Sequence, residues 1–144
     1  MKLDQKGYNA LHLREGLKLK PYLDTKGVPT IAMGNTFYLD GRKVSMEDTD
    51  LTLEEANELS KIIADKFAVA VSILIKSKVN QNQFNACVSF TYNIGINGFR
   101  GSTALKRINI NENDPTIKDA FMMWTKDKEL IGRRKSEVKQ YFTL

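Results

Sequence analysis

A long apolar repeat in the middle of the chain is the feature that most limits its fold. Positions 53, 56, 59, 63, 67, 70 and 74 are apolar and recur at helical spacing. Thr52 followed by Glu55 is the signature of a capping box at the start of this segment. We therefore predict one helix of about 24 residues over residues 52–75, roughly 36 Å long. A helix of this length can join two lobes.

The segments on either side of this helix differ in pattern. Residues 4–14 have the spacing of an amphipathic helix. In residues 21–44, turn formers at positions 25–27 and at Asp40-Gly41 separate short runs rich in β-branched and aromatic residues, which predicts a small antiparallel sheet. Further helices are expected to start at Asn80, at Ser102 or Thr103, at Asp114 and at Gly132, the last ending at about Phe142. The order helix, sheet, helices indicates an α+β protein.

Composition excludes several classes of function. The chain has 144 residues with one cysteine and one histidine, which excludes a disulfide framework and the common Cys-based zinc sites. No apolar run approaches the ~20 residues that a bilayer crossing needs. The first 16 residues carry charges throughout, unlike a secretory signal peptide. We expect a single domain with no metal, cofactor or membrane span.

The charge is unevenly distributed along the chain. Residues 1–72 carry 10 basic and 11 acidic residues, whereas residues 73–144 carry 12 basic and 6 acidic residues. A basic half attracts polyanions such as nucleic acid, anionic lipid or acidic wall polymers. The cations are scattered, without the clustered stripe and interleaved aromatics typical of nucleic-acid binders, so solubility explains them equally well.

Two carboxylates are candidates for chemistry. Glu15 follows Tyr8 and Leu11 on the inward stripe of the first helix, just before Gly16. A carboxylate on an apolar face is costly unless it is paired or protonated, and a protonated carboxyl suits a general acid. Asp24 lies nine residues later, in the turn that opens the sheet. Two carboxylates that face one cleft are the minimum for glycoside hydrolysis. The simpler alternatives are a solvated Glu15 and an Asp24 that only caps turn amides.

Three further positions have both a functional and a structural interpretation. The hydroxyl of Thr30, six residues after Asp24, either positions a water or belongs to an ordinary β-forming residue. Arg133 and Arg134 stand at the expected start of the last helix, where cations oppose the helix dipole. Either a carboxylate such as Glu15 pairs with them or they form a solvated basic face.

The remaining notable side chains favour structural roles. His12 lies on the same helix face as Glu15, where it is either a proton shuttle or, more simply, a partly exposed packing residue. Cys87 has the pattern of a small buried apolar residue on a helix. Trp124 has the helical spacing of a core residue rather than of a sugar platform.

Three blocks of sequence resemble one family. Residues 14–31, REGLKLKPYLDTKGVPTI, are similar to the N-terminal pattern E-G-x-x-L-x-x-Y-x-D-x-x-G-x-x-T-I of phage-type lysozymes, the endolysins of glycoside hydrolase family 24. Residues 83–95, QFNACVSFTYNIG, resemble the family helix Q-x-x-A-L-V-S-F-x-F-N-x-G. Residues 102–105 and 124–137 resemble the elements S-T-x-L and W…G-L-x-x-R-R-x-x-E. The blocks follow the family order and span nearly the whole chain.

The resemblance implies a fold. It predicts an α+β, lysozyme-like domain with a small antiparallel sheet lobe, a larger helical lobe and an active-site cleft between them. In that frame residues 15–50 form the sheet lobe, residues 1–14 and 76–144 form the helical lobe, and residues 52–75 form the connecting helix.

The resemblance also implies an activity, the cleavage of the β-1,4 bond between N-acetylmuramic acid and N-acetylglucosamine in peptidoglycan. By position, Glu15 matches the catalytic acid of the family, Asp24 the second carboxylate, and Thr30 the threonine beside it. Arg133 matches the arginine that pairs with the acid. The separation of the two carboxyl groups decides between an inverting route through a water and a retaining, covalent route, and members of the family point to the inverting one. The family's substrate-contacting positions match Gly34, Tyr92 and Asn93.

Two positions depart from the family pattern T-I-G-x-G-H-T. Ala32 stands where the family has a glycine, which permits unusual backbone angles. Asn35 stands where the family has a histidine, so a structural ion pair is lost while Glu15, Asp24 and Thr30 are retained. We expect the local sheet geometry and the substrate fit to differ from those of the family.

The resemblance implies peptidoglycan as partner, with no nucleic acid, and a monomer. It places the protein in the host cytoplasm before lysis and on the cell wall after release, with release through a phage holin. The alternatives are a non-catalytic lysozyme-fold protein that binds glycan or protein, a nucleic-acid-binding domain, and a lytic transglycosylase that uses one acid and no water.

Overall fold

The computed structural model describes residues 1–144 as an α+β fold, which confirms the fold class expected from the sequence. None of its helices combines the length and apolar character that a membrane crossing requires. In chain order the elements are α1 (Gln5–Glu15), β1 (Lys18–Leu23), β2 (Pro29–Ala32), α2 (Leu53–Leu74), α3 (Gln81–Ile94), α4 (Ile96–Arg100), α5 (Thr103–Ile110), α6 (Ile117–Met122) and α7 (Glu129–Tyr141).

The chain forms two compact units. The sheet unit consists of Leu11–Asp65, and the helical unit consists of Met1–Ala10 with Lys66–Leu144. The long helix α2 contributes residues 53–65 to the sheet unit and residues 66–74 to the helical unit.

The sheet unit is built on a short hairpin. Strands β1 and β2 pair antiparallel, with Tyr22 opposite Thr30 and an irregularity between Lys18 and Tyr22. The expected second hairpin at Asp40-Gly41 is present as a tight turn, with a single bridge between Phe37 and Lys43 rather than two further strands. The core of the unit packs one side of this small sheet against the start of α2 through buried apolar residues: Ile31, Ala32, Val44, Ala56 and Leu59.

Side-chain caps set the starts of the two longest helices. The backbone N–H of Thr52 donates to the Glu55 carboxylate at 2.9 Å, and the Glu55 N–H donates to the Thr52 hydroxyl at 3.1 Å. Asn80 and Gln83 form the same reciprocal arrangement at the start of α3. Both capping boxes confirm the expected helix starts, because each satisfies N–H groups that the first helical turn leaves without partners.

An aromatic cluster forms the centre of the helical unit. The ring of Phe90 stacks on Phe121 with 4.3 Å between centroids, and it meets Phe99 and Trp124 edge-on at 6.2 Å each. Trp124 lies after the end of α6 and is half-buried, so its expected helical position is wrong, although its ring packs against the core residue Phe90. Helix α3, which contributes Phe90 to this cluster, is buried over residues 83–91.

The later helices differ from expectation at their starts. Helix α6 begins at Ile117 because the Asp114 carboxylate accepts the N–H of Thr116 at 2.8 Å and closes a turn ahead of the helix. Helix α7 begins at Glu129, three residues before the expected start, and its N-cap Lys128 makes no side-chain capping bond that could mark it. Arg133 and Arg134 therefore lie in the second turn of α7, and their expected position at its N-terminus is wrong. The short helix α4 was not anticipated.

Candidate active site

Glu15 is the last residue of α1 and is half-buried. The helix ends there because Gly16 adopts a φ of +76°, a left-handed conformation that glycine takes without a steric penalty. The N–H of Gly16 still donates to the carbonyl of His12 at 2.8 Å, which closes the last turn. The position of Glu15 is thus set by a regular helix end rather than by a loop.

Asp24 organises the turn between β1 and β2. Its Oδ1 accepts the N–H groups of Lys26 at 2.8 Å and Val28 at 2.9 Å. Its own N–H donates to the Val28 carbonyl at 3.0 Å, and Gly27 supplies the positive φ of +77° that the turn needs. The turn-capping interpretation of Asp24 therefore holds. Both hydrogen bonds that the carboxylate accepts go to Oδ1, which leaves Oδ2 for a solvent water.

Thr30 lies at the start of β2 and is only 2% exposed. Its hydroxyl donates to the Val28 carbonyl at 2.8 Å. A hydroxyl has one proton and two lone pairs, so this bond leaves Oγ1 as an acceptor. Thr30 and Asp24 are therefore both fastened to Val28.

Tyr22 links the two carboxylates and the threonine. It is the cross-strand partner of Thr30. Burial raises the pKa of the Tyr22 phenol, and the negative charges of Asp24 and then Glu15 raise it further. Both carboxylates are therefore close enough to the phenol to disfavour its ionised form. In the sequence, the Y-x-D spacing of Tyr22 and Asp24 is the signal that marks this residue.

The two departures from the family pattern lie at the end of β2 and in the turn that follows it. Ala32 has a φ of +58°, the only positive φ of a residue other than glycine in the chain. Gly34 follows with a φ of +87°. The Asn35 side chain accepts the Met33 N–H at 3.2 Å and donates to the Leu59 carbonyl at 3.0 Å. Asn35 thus ties this turn to α2 with neutral hydrogen bonds.

His12 makes a structural hydrogen bond in the sheet unit. Its Nε2 lies 2.7 Å from the Ser60 hydroxyl, which donates its proton to the Asn57 carbonyl at 2.8 Å. The ring nitrogen must therefore be the donor to Ser60. Burial, followed by the charge of Lys61, lowers the pKa of His12. The packing interpretation of this histidine is the one that its contacts support.

A buried carboxylate in the helical unit holds both arginines of α7. Glu137 is fully buried and accepts hydrogen bonds from the Ser89 hydroxyl at 2.6 Å, Arg134 Nη1 at 2.6 Å and Arg133 Nε at 3.2 Å. Arg133 also donates to the Ser89 carbonyl at 2.9 Å. The solvated-face interpretation of these arginines is wrong, since Arg134 is 0% exposed and the side chain of Arg133 is 11% exposed. The pairing of Arg133 with Glu15 stays a prediction.

The other expected substrate-contacting residues lie near the end of α3. Tyr92 is half-buried, and its ring packs against Phe67 with 5.0 Å between centroids. Asn93 is exposed, and its Oδ1 accepts a hydrogen bond from Arg134. The sheet unit thus holds Glu15, Asp24, Thr30 and Gly34, and the helical unit holds Tyr92, Asn93 and Arg133.

No group of three or more His, Cys, Asp or Glu side chains is arranged to hold a metal ion. The thiol of Cys87 is fully buried, and burial followed by the charge of Glu137 raises its pKa. A thiol in this state is a poor nucleophile and a poor metal ligand.

Comparison with known proteins identifies the family of the chain. The family model "Phage lysozyme" matches residues 12–137. The endolysin of Salmonella phage P22 is 37% identical over 141 residues, which cover 95% of each chain. A crystal structure of a P22 lysozyme mutant matches with a TM-score of 0.90 at 35% identity, over 99% of each chain. The muramidase domain of SpmX from Asticaccaulis excentricus matches with a TM-score of 0.85 at 28% identity, over 99% of each chain. The chain belongs to the phage lysozyme family.

Proposed function

We propose that this chain is an N-acetylmuramidase, a lysozyme that hydrolyses the β-1,4 bond between N-acetylmuramic acid and N-acetylglucosamine in peptidoglycan. This is the specific form of the cell-wall hydrolysis that belongs to the phage lysozyme family. The observation that carries the proposal is that Asp24 and Thr30 are both hydrogen-bonded to Val28, in the unit that also contains Glu15. The muramidase domain among the similar structures supports the same bond specificity.

In this proposal Glu15 is the general acid. It donates its proton to the glycosidic oxygen as the bond to C1 of the muramic acid residue breaks. The rigid end of α1 suits this role, because proton transfer requires a donor held within hydrogen-bond distance of the leaving oxygen. General acid assistance of this kind contributes ~10²–10⁴-fold in rate.

Asp24 and Thr30 handle the water in the same proposal. Oδ2 of Asp24 accepts a proton from the water. Oγ1 of Thr30 accepts a hydrogen bond from the second O–H of the water, which directs the water oxygen at C1. The oxygen adds to C1 while the leaving sugar takes the proton of Glu15, so atoms and charges balance. Backbone N–H groups on Oδ1 keep the Asp24 carboxylate oriented during this step. Attack by water on the opposite face inverts the anomeric configuration.

The remaining assignments complete the proposed site. Gly34, Tyr92 and Asn93 contact the glycan, and Arg133 pairs with Glu15. Arg133 suits this role because Ser89 and Glu137 hold its guanidinium in one orientation. We propose that residues 1–144 work as a single lysozyme-like domain.

We further propose that the protein acts as a monomer, stays in the host cytoplasm until lysis and reaches the wall through a holin. Expression in a bacterium with and without a holin tests the route. Lysis that requires the holin supports it, and lysis without the holin overturns it.

Product analysis tests the bond specificity. Purified peptidoglycan is digested, the new reducing ends are reduced with borohydride, and the sugars are released by acid. A muramidase yields muramitol, whereas a glucosaminidase yields glucosaminitol. A transglycosylase yields an anhydro sugar that borohydride leaves unchanged. Muramitol as the main reduced sugar supports the proposal, and either of the other products overturns it.

A further inference from the structure

The side chain of Asn93 has a defined orientation. It is exposed near the C-terminal end of α3, and its Oδ1 accepts a hydrogen bond from Nη2 of Arg134. A guanidinium can only donate, so the oxygen of the amide must face the arginine and the NH2 group must face away. Nδ2 donates no hydrogen bond within the protein. The exposed end of this side chain is therefore a hydrogen-bond donor.

Arg134 is held firmly enough to fix that orientation. It is 0% exposed, and its Nε donates to the Trp124 carbonyl at 3.0 Å. Its Nη1 donates to Glu137 at 2.6 Å, and its guanidinium lies 5.1 Å from the centre of the Phe90 ring. A buried arginine with this many fixed partners has little freedom to move. Its Nη2 donates to the exposed Asn93 side chain.

We propose that Arg134 is a positioning residue, which turns the Asn93 amide outward as a donor for the carbonyl oxygen of an N-acetyl group on the glycan. The inference rests on the proposed function and names the substrate group that Asn93 recognises. An N-acetyl carbonyl is a neutral, planar acceptor that matches an amide donor of fixed direction. A carboxylate on the glycan would be met better by an exposed cation, and the cation here is buried behind the amide.

The Asn93→Asp variant tests the direction of the hydrogen bond without a change in shape. Aspartate still accepts from Arg134, but it presents an acceptor outward instead of a donor. Asn97→Asp is the matched control, because Asn97 on α4 is also an exposed asparagine whose Oδ1 accepts from an arginine, Arg100. Because the side chain is exposed, we expect Asn93→Asp to fold like the wild type, which thermal unfolding followed by circular dichroism checks.

The substrates are fully N-acetylated peptidoglycan and the same material treated with a peptidoglycan N-deacetylase. The measured quantity is the ratio of kcat/KM on the two substrates. We expect the wild type and Asn97→Asp to prefer the acetylated glycan. In Asn93→Asp this preference falls by about 10-fold, because the carboxylate repels the acetyl carbonyl and accepts from the free amine. A preference unchanged in Asn93→Asp overturns the inference.

Arg134→Lys tests the positioning role itself. Lysine keeps a cation for Glu137 but lacks the fork that reaches Trp124, Glu137 and Asn93 together. We expect a lower acetyl preference, carried mainly by KM, while kcat on saturating substrate changes less. A folded Arg134→Lys protein with the full wild-type preference overturns the positioning role. A wild type whose products lack reducing-end muramic acid overturns the proposed function instead.

Discussion

Asp24 and Thr30 are hydrogen-bonded to the two backbone polar groups of the same residue, Val28. Oδ1 of Asp24 accepts the Val28 N–H at 2.9 Å, and the Thr30 hydroxyl donates to the Val28 carbonyl at 2.8 Å. The side chain proposed to activate the water and the one proposed to aim it are thus fixed to each other through the backbone of a single residue. Such hydrogen bonds from catalytic side chains to the backbone matter because a small displacement of a reacting group lowers the reaction rate by a large factor.

Asp24 has two roles, a proposed catalytic role that needs its charge and a structural role that needs only its oxygen. Two substitutions separate these roles. Asp24→Asn keeps an oxygen for the N–H groups of Lys26 and Val28, so the turn survives while the base is lost. We expect turnover of peptidoglycan to fall by about 100-fold or more with an unchanged melting temperature. Asp24→Ala also loses both hydrogen bonds, which costs about 1–3 kcal/mol of unfolding free energy.

Asp114→Asn is the control for Asp24→Asn, because Asp114 also accepts a backbone N–H two residues on, from Thr116. We expect this control to keep wild-type turnover. An Asp24→Asn enzyme with wild-type turnover would show that the carboxylate has only its turn-capping role.

Tyr22 reports on both carboxylates. Each negative charge disfavours the phenolate and raises the pKa of Tyr22. We expect Asp24→Asn and Glu15→Gln each to lower that pKa, the former by more, since Asp24 has the larger influence. A pH titration of the Tyr22 ring by NMR measures the change, with Asp114→Asn as the unaffected control. A Tyr22 pKa that neither variant lowers would contradict the proposed convergence.

Ala32 is strained, and its replacement by glycine tests the size of the strain. The left-handed conformation costs about 1–2 kcal/mol for a residue with a Cβ. Ala32→Gly removes that cost but loses about 0.8 kcal/mol of methyl burial and about 0.5–1 kcal/mol of backbone entropy. These contributions nearly cancel, so we expect an unfolding free energy within about 0.5 kcal/mol of the wild type.

Ala56→Gly is the control for Ala32→Gly, because Ala56 is an equally buried alanine of the same core in a regular helix. It loses the methyl and about 1 kcal/mol of helix propensity with no strain to relieve, so we expect a loss of about 2 kcal/mol. Chemical denaturation measures both variants. Equal losses in the two would mean that the backbone at Ala32 is unstrained.

His12 gives the fold a dependence on pH. Its pKa in the folded protein lies below the ordinary value of 6.5, so the unfolded chain binds a proton first as the pH falls. Its contribution to stability is therefore complete above about pH 6.5 and is lost as the pH falls through the folded-state pKa. His12→Gln keeps a donor for Ser60 but has no group that titrates in this range. We expect its curve of melting temperature against pH to be flatter than that of the wild type between about pH 6.5 and pH 5. Parallel curves for the two proteins would be evidence against this role.

Much of the fold follows from local signals in the sequence. The apolar period of α2 predicts a helix that the structure contains. The reciprocal caps at Thr52 and Asn80 predict the starts of two helices, because each cap satisfies backbone N–H groups of the first turn that follows it. The start of α7 was missed because Lys128 offers no cap. Its position depends on packing between distant segments.

The candidate site was predictable to a similar degree. The residues that align with a family motif, Glu15, Asp24 and Thr30, are selected by that motif and share one unit. The roles of Val28 as a common anchor and of Tyr22 as a common neighbour depend on strand register, which the motif does not specify. The spacing of Glu137 from Arg133 and Arg134 is a local signal for ion pairs along α7. The burial of these pairs against Ser89 of α3 depends on contacts between distant segments, which the sequence does not specify.

The turnover of purified peptidoglycan by Glu15→Gln tests the central claim most directly. Glutamine keeps the size and polarity of the side chain and removes the acid. Glu129→Gln, at an exposed glutamate in the first turn of α7, makes the same change away from the site. We expect Glu15→Gln to lose ~10²–10⁴-fold in kcat with a melting temperature equal to the wild type, and Glu129→Gln to lose nothing. A Glu15→Gln protein that releases reducing ends at the wild-type rate would contradict the assignment of Glu15 as the catalytic acid.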